Sequence, residues 1–161
     1  MKKMIAVLLA ALLLPFVLVG AEGSPGLPPP LGVDYLGTWT EVDLGFQLYL
    51  PNEWVLFVDE ADFTAGNEQA TRYFWVEAHD SGGYSLDDVA LEFSQLYEDA
   101  QIVIGEAAAF VTFRAPKTDI FCGVTLSPDE LQLFFFKFVP LKDADFVLLA
   151  GQILSTYRLL D

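Results

Sequence analysis

Hydrophobic and polar positions alternate most clearly over residues 43–57, DLGFQLYLPNEWVLF. Phe46, Leu48 and Leu50 fall on one side and Gln47 and Tyr49 on the other, the two-residue period of a strand. Pro51-Asn52-Glu53 interrupts the pattern and an apolar run resumes at Trp54, so the stretch predicts a strand, a turn and a strand paired as a hairpin. Proline has a fixed φ and no N–H to give to a ladder, and asparagine tolerates left-handed geometry, which suits both to the turn. Residues 38–42 predict a short lead-in strand. Residues 59–69, DEADFTAGNEQ, show no period and read as a polar, acidic loop. Residues 72–78, RYFWVEA, are aromatic and β-branched and predict the next strand, which His79-Asp80-Ser81-Gly82-Gly83 breaks.

The period then changes to that of a helix. Leu86, Val89, Ala90, Phe93, Leu96 and Tyr97 recur at three- and four-residue spacing, with Ser85 and Asp88 placed as a capping box. Short strands are predicted over 102–104 and 107–114. A further pair, 120–126 and 131–139, is joined by Ser127-Pro128-Asp129-Glu130, good type I turn chemistry. LFFFKF at 133–138 is apolar on both faces apart from Lys137, which predicts a central strand covered above and below. Phe146, Leu149, Ala150, Ile153, Leu154 and Tyr157 form the stripe of a closing helix, with Asp143 and Asp145 at its start and Arg158 in its last turn. Gly151 interrupts that helix at a cost of about 1 kcal/mol relative to Ala, which a close approach to the sheet would explain.

The first 37 residues change the picture of the domain's extent. Lys2 and Lys3 followed by an apolar run and Val19-Gly20-Ala21 read as a secretory signal over 1–21, cut after Ala21. An uncleaved anchor is the rival reading, but the run falls short of the roughly 20 residues a bilayer requires and Pro15 interrupts it. No stable membrane insertion is expected after cleavage. Residues 22–37, rich in Pro and Gly, read as an extended linker, and 38–161 as one domain. The expected location is outside the cytoplasm.

Without residues 1–21 the chain keeps six basic residues against 23 acidic ones, a net charge of −17. Such a domain repels phosphate backbones and anionic lipid surfaces, so nucleic-acid binding is disfavoured and no nucleic-acid partner is expected. A protein or small-molecule partner outside the cytoplasm remains.

The chemistry-bearing residues are few. His79 is the only histidine and Cys122 the only cysteine, so no disulfide can form within the chain and any triad has one possible histidine. The two could pair as a nucleophilic dyad, but Cys122 sits in IFCGV, where cysteine acts as a small hydrophobe. Ser85 in GYSLD lacks the second glycine of a nucleophile elbow. No phosphate loop, zinc spacing or dinucleotide fingerprint occurs. Asp59, Glu60 and Asp62 lie close together without the spacing of an EF-hand, which leaves weak calcium binding as a minor reading beside a solvated loop and no cofactor as the main one. Trp39, Tyr49 and Trp54, with Asp59, Glu60 and Asp62, are the candidate interaction surface, and residues 72–75 a second aromatic stretch. The competing reading of these aromatics is core.

The order of GFQLYLPNEW, SLDDVALEFSQLY, GEAAAFVTFRAP, DIFCGVTL and ADFVLLAGQILSTYRL, ending in Ser155-Thr156-Tyr157, resembles the PsbP-like and Mog-like superfamily. That resemblance implies an α+β fold, a mainly antiparallel sheet covered by helices on both faces in an α/β/α sandwich. It implies a non-enzymatic role too, since relatives are extrinsic photosystem subunits, small-GTPase binders or secreted bacterial proteins. The chain lacks the basic surface expected of the photosystem subunits, and no family binding residue carries over. The expected function is therefore a secreted, non-enzymatic interaction or ligand-binding module. The alternative is a small extracytoplasmic hydrolase or transferase using a Cys/His or carboxylate pair.

Overall fold

The structure, a computed structural model, describes residues 28–59 and 61–160. The expected signal over 1–21, residues 22–27 of the Pro/Gly-rich segment, Glu60 and Asp161 lie outside the described residues.

Strands β1 (Gly37–Val42) and β2 (Phe46–Pro51) form an antiparallel hairpin with Trp39 opposite Tyr49. Its turn closes at Gly45, whose φ of 86° places it in the left-handed region that glycine enters freely, and whose N–H donates to the Val42 carbonyl at 3.0 Å. Six further strands and a central one build a larger sheet: β3 (Trp54–Phe57), β4 (Phe63–Asn67), β5 (Tyr73–Asp80), β6 (Gln101–Ile104), β7 (Ala109–Ala115), β8 (Ile120–Leu126) and β9 (Gln132–Val139). Their order is β3-β4-β5-β9-β8-β7-β6, antiparallel at every pairing. Helix α1 (Leu86–Ser94) follows β5, and α2 (Ala144–Ser155) follows β9. The chain ends on β10 (Arg158–Leu159), which pairs with the free edge of β2.

Two expectations are corrected. The stretch 43–57 is not a hairpin: β2 pairs with β1 and β10, whereas β3 pairs with β4 in the other sheet. All six β2 residues are buried, so the strand needs neighbours at both edges and cover on both faces, which one partner cannot supply. Pro51-Asn52 is instead a corner where the chain changes sheets, and the Asn52 N–H donates back to the Leu36 carbonyl at 3.1 Å. Nor is the fold an α/β/α sandwich with helices on both faces, and the resemblance to the PsbP-like and Mog-like superfamily is not upheld. The molecule is mostly β, with two antiparallel sheets and two short helices.

One face of the large sheet is covered by the small sheet together with α2. Phe74, Phe134, Phe136 and Phe138 point into this layer from β5 and β9, and meet Phe46, Leu48, Phe146 and Ile153, all essentially without solvent exposure. At about 1.5–3 kcal/mol for each large apolar side chain fully buried, this aromatic layer dominates the stability of the domain. On the other face, among the described residues, the one helix that packs is α1, which sets Val89 and Phe93 against β7, β8 and β9, with the Phe93 and Phe113 rings stacked at 4.5 Å. The two-sided apolar pattern of β9 correctly predicts the central strand, fourth of seven. It is silent on whether a helix or a sheet does the covering.

The helix ends follow their local chemistry. Ser85 and Asp88 form the capping box in full, side chain to backbone in both directions. Asp143 caps α2 by accepting from the Phe146 N–H at 3.0 Å, while Arg72 Nε donates to the same carboxylate at 2.7 Å. Arg158 lies in β10 rather than in the last helical turn. Gly151 is exposed and a Cβ there would meet nothing within 4 Å, so close approach does not explain it. The tight glycine is Gly123 of β8, where a Cβ would lie 2.6 Å from Leu154 Cδ1 of α2.

Candidate functional site: the uncovered half of the large sheet

Alternation along β5 sends Phe74, Val76 and Ala78 into the main core and leaves Tyr73, Trp75, Glu77 and His79 on the opposite face. The register of β5 with β9 sets Trp75 opposite Lys137 and Glu77 opposite Phe135, so Glu77 and Lys137 are diagonal neighbours. Helix α1 reaches across this face as far as Phe135, and among the described residues no other helix packs there. Over Tyr73, Trp75, Glu77 and His79 on the half built from β3, β4 and β5 no further helix or strand packs among the described residues, although Phe57 and Thr64 of the same face are buried.

Glu77 is the hub of this surface. One carboxylate oxygen accepts from Trp75 Nε1 at 2.7 Å; the other accepts from Lys137 Nζ at 2.6 Å and lies 3.0 Å from His79 Nε2. Burial works against the carboxylate, but the hydrogen bonds from Lys137, Trp75 and His79 and the Lys137 charge outweigh it and hold the pKa down at about 2. Lys137 Nζ also lies 5.8 Å from the Trp75 ring centre and 5.9 Å from that of Phe135, within the range of cation–π attraction. Tyr73 stacks on Trp75 at 5.9 Å, and His79 meets Phe135 edge-on at 5.3 Å. The result is an aromatic platform with a fixed ion pair at its centre.

The residues singled out from the sequence are dispersed. Trp39 and Tyr49 are 2% and 4% exposed. Trp39 Nε1 donates to the Pro28 carbonyl at 3.1 Å, the Arg158 guanidinium sits 4.8 Å from its ring centre, and Tyr49 Oη accepts from the Gly37 N–H at 3.0 Å. Trp54 is half-buried on the core side of β3, 5.9 Å from Phe74, and borders a cavity of about 250 Å³ between the two sheets together with Thr38, Thr40 and Asn52. Asp59 accepts from the Ala61 N–H and from Thr64 Oγ1, and Asp62 accepts from the Ala78 N–H, so both carboxylates hold the loop before β4 to the sheet. Among the described residues no three His, Cys, Asp or Glu side chains converge as a metal site.

Cys122 and His79 share the α1-side face without meeting. Cys122 is opposite Lys137, and His79 is four residues further along β5 from the residue that faces Lys137, about 13 Å at strand rise. Burial, eased slightly by Lys137 and reinforced by Glu77, pushes the Cys122 thiol up to about 12. A thiol so raised supplies no thiolate at neutral pH.

The central trio of Trp75, Glu77 and Lys137 was missed as a unit. The available signal was a charge set inside each of two apolar runs, Glu77 in YFWVEA and Lys137 in LFFFKF. Among known proteins, no family model and no curated sequence matches the chain.

Proposed function

We propose that the chain is a non-enzymatic interaction module that acts outside the cytoplasm and docks a protein partner through the uncovered half of its large sheet. The observation that carries this reading is the cluster of Tyr73, Trp75, Glu77, His79 and Lys137, held rigid by mutual contacts on a face where, among the described residues, no other element packs over it. Interfaces are built in this way, with aromatic anchors at the centre and charge around them. The acidity of the rest of the molecule favours a partner with a cationic rim.

The test is retention of partners from envelope and secreted extract at two salt concentrations. Parent chain, Tyr73→Ser with His79→Ala, and Leu148→Ser on the exposed side of α2 are compared. A discrete partner kept by the parent and Leu148→Ser, lost by the double variant and weakened at high salt, supports the assignment. Equal retention by all three, or no discrete partner at either salt, sinks it.

A further inference from the structure

The large sheet ends at β6, which pairs only with β7 among the described residues. The Gly105 N–H donates to the Ala108 carbonyl at 2.8 Å, which makes these two residues a hydrogen-bonded pair of the β6–β7 ladder. Bonded and open pairs alternate along an antiparallel ladder. Val103 with Phe110 and Gln101 with Thr112 are therefore bonded pairs, whereas Ile102 and Ile104 turn their N–H and C=O groups to the free edge. Every residue of β6 is exposed, Ile104 at 84%. Edges of this kind are ordinarily blunted by a charge, a proline or a bulge. The β6 sequence QIVI has neither charge nor proline, and its register with β7 is unbroken.

The ends of this edge are acidic. Glu98 and Glu106 flank β6, exposed and in no salt bridge among the described residues, while Asp99 is engaged with Arg114. Antiparallel pairing with a second copy would bring the Glu98 and Asp99 end of one chain beside Glu106 of the other, and like charges opposed across strands are destabilising. A strand with basic residues at its ends meets attraction at both.

We infer that β6 receives an extended peptide segment by strand addition, one with β-branched residues at its centre and lysine or arginine at its ends. The main chain of that segment bonds to Ile102 and Ile104, and its side chains extend the apolar rows of Ile102 and Ile104 on the α1 side and of Val103 on the other. Strands β9, β8 and β7 separate β6 from β5, so this edge is distinct from the platform around Glu77 and does not depend on its role.

The test is amide hydrogen exchange, read by NMR on the chain with the peptide acetyl-Lys-Thr-Val-Thr-Val-Thr-Lys-amide. Exchange at Ile102 and Ile104 should slow about tenfold at a peptide concentration about nine times Kd, because only the unbound form leaves these amides open. The same peptide with glutamate in place of both lysines should bind at least about fivefold more weakly at low salt. Ile104→Pro removes an outward N–H and no bond to β7, so it should keep the fold and weaken the lysine peptide about fivefold, the worth of one net hydrogen bond. No slowing at Ile102 and Ile104 with about 1 mM lysine peptide, equal affinity for the two peptides, or unchanged affinity in folded Ile104→Pro would each overturn the assignment. Protection of the same two amides on concentrating the chain alone would overturn it in favour of a second copy.

Discussion

Replacing Lys137 with methionine tests the electrostatic centre of the uncovered face. Methionine keeps an unbranched apolar stem between Trp75 and Phe135 but removes the ammonium that donates to Glu77. A carboxyl held from its ordinary 4.5 down to about 2 corresponds to about 3 kcal/mol at 1.36 kcal/mol per pH unit. Lys137 and Glu77 keep 24% and 33% of their side-chain surface in water, and Trp75 and His79 share the work, so screening and sharing reduce the loss to about 1–2 kcal/mol at pH 7. Because the folded pKa of Glu77 is depressed, its contribution is complete above about pH 5. It is lost as the pH falls through 4.5 towards 2. Urea unfolding followed by tryptophan fluorescence at pH 7, 5 and 3 should therefore show parent and variant separated by about 1–2 kcal/mol at the two higher values and by about half as much at pH 3. A difference that stays constant across this range would show that the lysine acts through packing alone, and equal stability at pH 7 would show that the pair contributes nothing.

The two glycines near α2 should respond with opposite signs in thermal unfolding. Gly151→Ala should stabilise by about 1 kcal/mol, because the helix gains propensity and the new methyl meets nothing. Gly123→Ala should destabilise by about 1–3 kcal/mol, because Leu154 is 4% exposed and has little room to retreat; a neutral result would mean α2 slides freely on β8. Ser85→Ala should cost about 1 kcal/mol by removing the side-chain half of the capping box, measured by chemical denaturation, and an unchanged midpoint would show the cap to be idle. Cys122 should react with a disulfide reagent only as fast as the protein unfolds, since it is 2% exposed and its pKa is raised by burial. Rapid labelling of the native chain would contradict that.

Local chemistry was legible in the sequence wherever it depends on near neighbours. The Ser85–Asp88 box, the Asp143 cap, the turn between β8 and β9 and the central place of β9 all follow from residues within a few positions of one another. Strand β4 was not legible. Phe63-Thr64-Ala65-Gly66-Asn67 lies in a polar setting and is held as a strand by pairing with β3 on one side and β5 on the other. Gly66 shows the same dependence, because a Cβ there would lie 2.6 Å from the Arg72 carbonyl oxygen.

By itself the sequence determined the order of most strands, both helices and the residues at their N-terminal ends, and a strongly acidic composition, because periodicity, capping and charge are properties of short segments or of composition. Only the tertiary structure decided that β2 and β3 part into different sheets, that a second sheet rather than a helical layer covers one face with α2, and that Trp75, Glu77 and Lys137 meet. Those outcomes depend on register and on which faces cover one another. A run such as LFFFKF states that both its sides must be dry, and the identity of what dries them is written in residues up to a hundred positions away.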